Sequence, residues 1–267
     1  MRRHNTVVVL LFWSLFSGAT MGLRGPPLAF LVSNFERAME HAELGPLFLK
    51  SVAEKENEVV RLCYVPTAMF ALKADSVRSP GRQRSQSRRD ARLRREKIVA
   101  TMGASKTIEA VTVDVFDGSL ADATWPVESA MSAIETADFF VVDGGNTFWL
   151  WACLEPYADA VRRSKATYVG VSAGAIVYGR HLSTALWKGW DDPGVVEPPR
   201  DWTQVRGLDM ALAKSFFPHH SQDFHDLFTR NSHQAPGVLP LDEEGGCCLF
   251  KDQTRNLLLE VFQKDHT

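Results

Sequence analysis

The chain has 267 residues, of which 45% are hydrophobic and 23% are charged, and its formal net charge is −2. This length and composition are sufficient to bury one sizeable α/β core and do not indicate a second domain. The small net charge gives no reason to expect a nucleic acid partner. Hydrophobic runs alternate with helical stretches, as a parallel sheet with helical crossovers requires.

The N-terminus has the pattern of a secretory signal peptide. A basic start at 1–6 is followed by an apolar run at 7–16 and by small residues suited to cleavage near Ala19 or Gly22. The apolar run is short for a membrane span. We therefore predict a signal peptide over 1–22 and a protein of the secretory pathway or the extracellular space, with no membrane contact after cleavage. Import into an organelle and a cytoplasmic location are the alternatives.

A basic segment at 78–97 is rich in arginine and serine. Residues 79–89 contain almost no apolar side chain, which predicts a surface loop. Residues 91–102 are predicted to form a helix whose core-facing residues are Leu93, Ile98 and Val99. We interpret the segment as a solvated surface insertion. The alternatives are a basic patch for RNA or acidic lipids, or a surface that steers acidic peptides towards the active site.

A buried strand at 139–142 is predicted to lead into a Gly-Gly turn. Gly144 and Gly145 follow the strand, and a helix then begins with Asn146 or Thr147 near the cap position. Adjacent glycine amides at the carboxyl end of a strand can direct N–H groups at a developing oxyanion. This turn is therefore a candidate oxyanion site.

The most informative motif is a serine between glycines, where a strand is predicted to meet a helix. Gly170 and Gly174 flank Ser172 and leave room for a tight turn, which exposes the serine hydroxyl above the edge of the sheet. The next amide, that of Ala173, lies at the positive end of the helix. We predict that Ser172 is a nucleophile and that the Gly145 and Ala173 amides are oxyanion donors. The structural alternative is a small-residue helix start packed against a sheet.

An acidic loop and a histidine pair complete a candidate catalytic set. Asp191 or Asp192 would orient the imidazole of His219, which would accept the Ser172 proton. His220 is the alternative base. A solvated turn and a structural histidine are the alternatives for the acids and for His219, and the occurrence of all the elements together favours catalysis.

We predict no metal and no other cofactor. Among the scattered histidines, His220 and His225 come near ligand spacing, and neither paired acids nor thiols accompany them. The sequence leaves the oligomeric state open, with a homodimer as one alternative.

Several motifs together resemble the dipeptidase E and cyanophycinase family of serine peptidases. They are Gly-Gly-Asn-Thr-Phe at 144–148, Gly-x-Ser-Ala-Gly-Ala at 170–175, Asp-x-Pro at 191–193 and Pro-His at 218–219. The likeness continues at 28–34 and 61–66, which are similar to the first two strands of the family, and at 207–209 and 239–245. It covers the chain from about residue 27 to the end.

The resemblance implies a doubly wound, mostly parallel α/β sheet with helices on both faces, related to class I glutamine amidotransferases. It implies one peptidase domain over 27–267, with Ser172 at the nucleophile elbow and short peptides as substrates. It favours Asp191 over Asp192 as the third triad member, because Asp191 lies two residues before Pro193. Asp143 stands where the family has the first of three glycines.

The same resemblance suggests candidate substrate-binding residues, which are Asn146, Thr147 and Lys188. A preference for an N-terminal aspartyl residue would require a cation, and Lys188, His181 or Arg180 could supply it. A cyanophycinase-like activity on an aspartyl polymer belongs to the same hypothesis. The alternatives are an α/β-hydrolase esterase, although the chain lacks a His-Gly-Gly oxyanion motif, and a binding protein without catalysis.

Overall fold

The computed structural model describes residues 24–252 and 256–263. The signal peptide predicted over 1–22 lies outside these residues. The described helices are Phe35–Glu40 (α1), Leu44–Ala53 (α2), Pro80–Met102 (α3), Ala130–Thr136 (α4), Thr147–Leu154 (α5), Ala158–Arg163 (α6), Ala173–Tyr178 (α7) and His225–Asn231 (α8). The described strands are Arg24–Val32 (β1), Val59–Val65 (β2), Thr107–Asp114 (β3), Ser119–Ala121 (β4), Phe139–Val142 (β5), Thr167–Val171 (β6), Ser215–Phe217 (β7), Val238–Pro240 (β8), Gly246–Asp252 (β9) and Leu257–Phe262 (β10).

The described strands form an eight-stranded sheet and a separate parallel pair, β7 and β8. The order in the large sheet is β10-β9-β1-β6-β5-β2-β3-β4. The central strands β1, β6, β5, β2 and β3 run parallel, whereas β4, β9 and β10 join the two edges antiparallel. This arrangement confirms the predicted α/β fold with a mostly parallel sheet.

Both faces of the sheet are buried, and consecutive residues of the central strands point to opposite faces. In β5, Phe139 packs into the same core as Phe48, whereas Phe140 packs on the other face beside Tyr168. Every residue of β5 and β6 is buried. The continuous apolar runs in these strands follow from this burial, because a central parallel strand contacts a core on each side.

Neighbouring parallel strands end at one edge of the sheet, and this edge positions the candidate site. Val142 of β5 lies opposite Gly170 of β6, and Val171 lies opposite Val32 of β1. The Ser172 N–H donates a hydrogen bond to the Val32 carbonyl at 2.8 Å. The turns after β1, β5 and β6 therefore meet at the carboxyl ends of the strands, where open α/β sheets bind ligands.

The basic segment is helical from Pro80 onwards, so the loop conformation predicted for 79–89 was wrong. Helix α3 spans 23 residues, begins at Pro80 and contains all the arginines of the segment after Arg78. Arginine is a good helix former, and proline fits the first turn, so the scarcity of apolar residues did not prevent a helix. Ala91, Ile98 and Met102 anchor it to the core. Their spacing of seven and four residues places them on one face.

The core-facing positions predicted in this helix were partly correct. Ile98 is buried and Val99 is half-buried against the same core, but Leu93 is 52% exposed. No helix within residues 24–252 and 256–263 has the length and apolar character needed to span a membrane.

Candidate active site

Ser172 occupies a strained turn between β6 and α7. Its backbone angles are φ 50° and ψ −105°, a region that non-glycine residues rarely adopt. The flanking glycines make the turn possible: a Cβ on Gly170 would lie 2.7 Å from the backbone of Gly174, and a Cβ on Gly174 would overlap the Val142 carbonyl. These contacts explain why small residues surround the serine, as a nucleophile elbow requires.

His219 lies directly opposite this serine. It follows β7, and its Nε2 is 2.9 Å from the Ser172 Oγ. The His219 backbone has a φ of 55° and donates its N–H to the Ser33 hydroxyl at 2.8 Å. The Ser33 hydroxyl in turn donates to the Leu241 carbonyl at 2.9 Å. The turn after β1 therefore holds the His219 backbone in the position from which the imidazole contacts Ser172.

The carboxylate that contacts the other imidazole nitrogen belongs to Glu243. Its Oε1 lies 2.6 Å from Nδ1 of His219. Glu243 comes from the turn between β8 and β9, which follows His219 in the chain. Ser172, His219 and Glu243 thus form a continuous hydrogen-bonded series, the arrangement by which an acid orients and stabilises a histidine base.

Glu243 occupies the place that the sequence analysis assigned to Asp191, with Asp192 as the alternative. Asp191 instead accepts a hydrogen bond from the Thr147 N–H at 3.0 Å, at the beginning of α5. Asp192 accepts from the Gly194 N–H at 2.8 Å and caps a short 3₁₀ turn at Pro193–Val195. The sequence resemblance includes the 239–245 segment but assigns no role to Glu243.

Asp191 nevertheless lies near the imidazole. Burial raises the pKa of its carboxyl, and the hydrogen bond from Thr147 and the charge of His219 oppose this rise. Thus a half-buried acid adjoins the site without a direct hydrogen bond to His219.

His220, the alternative base, does not contact the serine. Its ring packs against Phe217, His225 and Phe228. Burial lowers the pKa of the His220 imidazole, and the neighbouring His225 lowers it further. The backbone N–H of His220 donates to the Leu241 carbonyl at 2.8 Å, so this residue helps to join the loops after β7 and β8.

The Gly-Gly turn lies against Ser172. A Cβ on Gly144 would lie 3.1 Å from the Cβ of Ser172, and a Cβ on Gly145 would overlap the Ala68 carbonyl. Gly145 has a φ of 141°, which glycine adopts without strain. Within the described residues, the amides of Gly145 and Ala173 have no hydrogen-bond acceptor. Both predicted oxyanion donors are therefore unengaged beside the serine.

Asn146 and Thr147 contribute to the loop structure next to this turn. The Asn146 side chain caps α5 by accepting from the Trp149 N–H at 2.9 Å, and its amide group donates to the Asp192 carbonyl at 2.9 Å. The Thr147 hydroxyl is buried, and the Thr147 backbone N–H donates to Asp191 at 3.0 Å. The Asn146 side chain is therefore engaged within the protein at both ends.

Lys188 contacts the backbone of the loop that carries His219. Its Nζ donates to the carbonyls of Pro218 and His219, at 2.8 and 2.5 Å. The same ammonium lies over three rings, those of Trp190, Phe217 and Phe224. Burial lowers the pKa of Lys188 to about 8, against the opposing effect of the Glu243 charge. Lys188 thus holds the backbone of the histidine loop.

Arg180 and His181, the other cations suggested for substrate recognition, also lie close to charged side chains of the protein. Arg180 Nε lies 3.5 Å from Asp209 Oδ2. Burial lowers the pKa of His181, and the neighbouring Arg180 and Arg206 add to this effect.

Comparison with known proteins identifies the family of the chain. Residues 106–256, more than half of the chain, match the sequence model of peptidase family S51. A crystal structure from Listeria monocytogenes EGD-e, described as a candidate peptidase E, superposes with a TM-score of 0.55 and 16% identity. The similarity covers 88% of this chain and 98% of that one, and at this identity it shows the shared fold. No curated protein matches the chain by sequence. The chain therefore belongs to peptidase family S51, the family of dipeptidase E and cyanophycinase, and is a serine-type peptidase.

Proposed function

We propose that this peptidase cleaves short peptides through a triad of Ser172, His219 and Glu243. The observation that carries the proposal is the hydrogen-bonded series from the Ser172 hydroxyl through the imidazole to the Glu243 carboxylate, with distances of 2.9 and 2.6 Å. Such a series gives a serine an adjacent base and gives that base an orienting acid.

The reaction proceeds through an acyl-enzyme. The Ser172 oxygen attacks the scissile carbonyl carbon while Nε2 of His219 accepts the hydroxyl proton. Glu243 stabilises the resulting imidazolium, and the Gly145 and Ala173 amides donate hydrogen bonds to the oxyanion. The C–N bond then breaks as His219 transfers its proton to the leaving amine. A water molecule, activated by the same imidazole, hydrolyses the ester and releases the acid.

An exposed aromatic side chain lies beside the proposed triad. Trp190 is 61% exposed, and its ring centroid lies 5.8 Å from that of His219. An exposed indole at this position provides an apolar wall beside the base. Asp191, the next residue in the chain after Trp190, contributes a half-buried carboxylate whose pKa is affected by the charge of His219.

We extend the proposal to N-terminal aspartyl dipeptides as the first substrate series. The support is family membership, since the family includes dipeptidase E. An aspartyl substrate would need a cation that is not already paired within the protein. Lys188 donates to two backbone carbonyls and Arg180 lies close to Asp209, so neither side chain supports the aspartyl preference. The aspartyl preference is therefore the part of the proposal that a substrate panel must decide.

The decisive experiment compares the protein with its Ser172→Ala variant on a panel of dipeptides, headed by Asp-X members. Ser221→Ala is the matched control, because Ser221 is exposed and lies two residues from His219. Cleavage lost only in Ser172→Ala would support the proposal, and the panel would rank the substrates. Cleavage that persists in Ser172→Ala would overturn it.

Two further substrates test the specificity. Hydrolysis of an aspartyl polymer without dipeptide cleavage would replace the dipeptidase proposal with a cyanophycinase-like one. Hydrolysis of p-nitrophenyl esters alone would overturn the proposed peptide specificity.

A further inference from the structure

A buried carboxylate lies directly before the Gly-Gly turn, at the position where the family resemblance leads one to expect glycine. Asp143 is 2% exposed. Its Oδ2 accepts a hydrogen bond from the Tyr64 hydroxyl at 2.5 Å, and its Oδ1 accepts from Arg94 Nη1 at 3.0 Å. Oδ1 also accepts from the Gly144 N–H at 2.6 Å. Both oxygens are therefore engaged within the protein.

These contacts fix the peptide unit that leads into the oxyanion turn. Because the Gly144 N–H is directed at Asp143, this amide is engaged before substrate binds. On the far side of the turn, the Asn146 N–H donates to the Ala68 carbonyl at 2.9 Å. The turn is thus held at both ends, and the Gly145 N–H between them stays unengaged among the described residues.

The partners of Asp143 come from two different elements. Tyr64 lies in β2 and is fully buried, and burial together with the Asp143 charge raises the pKa of its phenol, so that it stays a protonated donor. Arg94 lies on α3, and its side chain is half exposed. A buried charge needs such partners, because an unpaired carboxylate in the interior is strongly destabilising.

We propose that Asp143 is a positioning residue for catalysis: held by Tyr64 and Arg94, it sets the orientation of the Gly144–Gly145 turn and so aims the Gly145 N–H at the oxyanion. This inference rests on the serine peptidase chemistry proposed above. Asp143 acts through the turn, since its burial separates it from substrate. The role of the basic helix α3 in the active site is to supply Arg94. We refer to Asp143, Tyr64 and Arg94 together as the clamp.

An oxyanion donor is effective only when it is aimed at the developing charge, and a displacement of about 1 Å can cost about 10²-fold in rate. Loosening the clamp should therefore lower kcat about 10- to 100-fold with little change in KM. A role in fold stability alone would lower the unfolding midpoint and leave kcat per folded molecule unchanged.

The test uses Arg94→Met, with Arg94→Lys as the conservative variant and Arg92→Met as the matched control. Arg92 lies on the same helix, is largely exposed and pairs with Glu96 at 3.7 Å. We expect Arg94→Met to lower kcat, Arg94→Lys to restore part of it, and Arg92→Met to behave as wild type. Asp143→Asn and Tyr64→Phe should give losses that are not additive with that of Arg94→Met.

A fluorophosphonate provides a readout that needs no knowledge of the substrate. The Ser172 oxygen forms a bond to phosphorus, the P–F bond breaks, fluoride leaves and His219 takes the serine proton. The phosphoryl oxygen occupies the oxyanion position during this step, so the rate of labelling should fall in parallel with kcat. A folded Arg94→Met protein labelled as fast as wild type would overturn the positioning role.

Two other outcomes distinguish a failure of this inference from a failure of the proposed serine peptidase function. If wild-type Ser172 is not labelled and no peptide is cleaved, the proposed function itself fails. If wild type is active but Arg94→Met changes only KM, and only for acidic peptides, Arg94 binds substrate and the positioning proposal is wrong. If Asp143→Asn does not fold, the Arg94 and Tyr64 variants still decide the question.

Discussion

Glu243 Oε1 lies 2.6 Å from His219 Nδ1, and this contact joins the turn between β8 and β9 to the turn after β7. Asp191, on a different loop, hydrogen-bonds to the beginning of α5 instead. The site therefore contains two carboxylates near one imidazole, and their hydrogen bonds predict different functional roles for them.

Glu243→Gln should lower kcat by about 10³- to 10⁴-fold, because an amide cannot stabilise the imidazolium and favours the wrong tautomer. Asp191→Asn should have a much smaller effect, since Asp191 contacts the Thr147 amide rather than the imidazole. Steady-state kinetics on one peptide measures both variants. A larger loss in Asp191→Asn than in Glu243→Gln would reverse the assignment.

His219→Ala should abolish peptide cleavage, whereas His220→Ala should retain most of it. Only the His219 imidazole reaches the serine, at 2.9 Å, while the His220 ring packs among aromatic side chains. Turnover of both purified variants, after circular dichroism has established that they are folded, provides the measurement. Equal inactivation of two folded variants would contradict the prediction.

Lys188→Met should lower kcat by about tenfold, an effect of 1.4 kcal/mol on the barrier. The substitution keeps an unbranched side chain among the rings but removes both hydrogen bonds to the Pro218 and His219 carbonyls. The base would then be held less firmly in its left-handed conformation. Wild-type kinetics in this variant would show that Ser33 alone is sufficient to hold the loop.

The lowered pKa of Lys188 also predicts a pH dependence of stability. This pKa is about 8 in the folded protein against an ordinary value of 10.5, so the unfolded chain binds more protons between these values. The Lys188 contribution to the free energy of unfolding should therefore increase as pH rises from 8 to 10.5, and it should be lost as pH falls through 8. Denaturant titrations of wild type and Lys188→Met across this window measure the difference, which would be flat if Lys188 titrates normally.

Gly174→Ala should reduce the free energy of unfolding by about 1–3 kcal/mol, because the new methyl group would overlap the Val142 carbonyl. Gly81→Ala is the control, since a Cβ there meets no heavy atom within 4 Å. Its effect should stay within about 0.5 kcal/mol of wild type. Urea unfolding monitored by tryptophan fluorescence tests both variants, and equal stabilities would contradict the steric explanation of the elbow.

Local features of the chain were sufficient to predict the tight turn at Ser172 and its neighbouring strands. Two glycines around Ser172 meet a steric requirement that acts within a few residues, and the apolar runs of β5 and β6 reflect burial on both faces of a sheet. Apolar spacing does not indicate a helix over 80–89, whereas arginine has a high helix propensity of its own, so this part of α3 differs from the predicted loop.

The sequence by itself determined the fold class, the family and the tight turn at Ser172, because each follows from short-range patterns. The approach of the Gly-Gly turn to Ser172 follows from the pairing of β5 with β6. Only the tertiary structure decided which carboxylate contacts His219. Asp191 and Glu243 lie on opposite sides of that histidine in the chain, and both loops reach the same edge of the sheet. Sequence spacing does not encode which loop approaches Nδ1. That depends on how β8 and β9 place Glu243 and on how the beginning of α5 engages Asp191 through its free N–H.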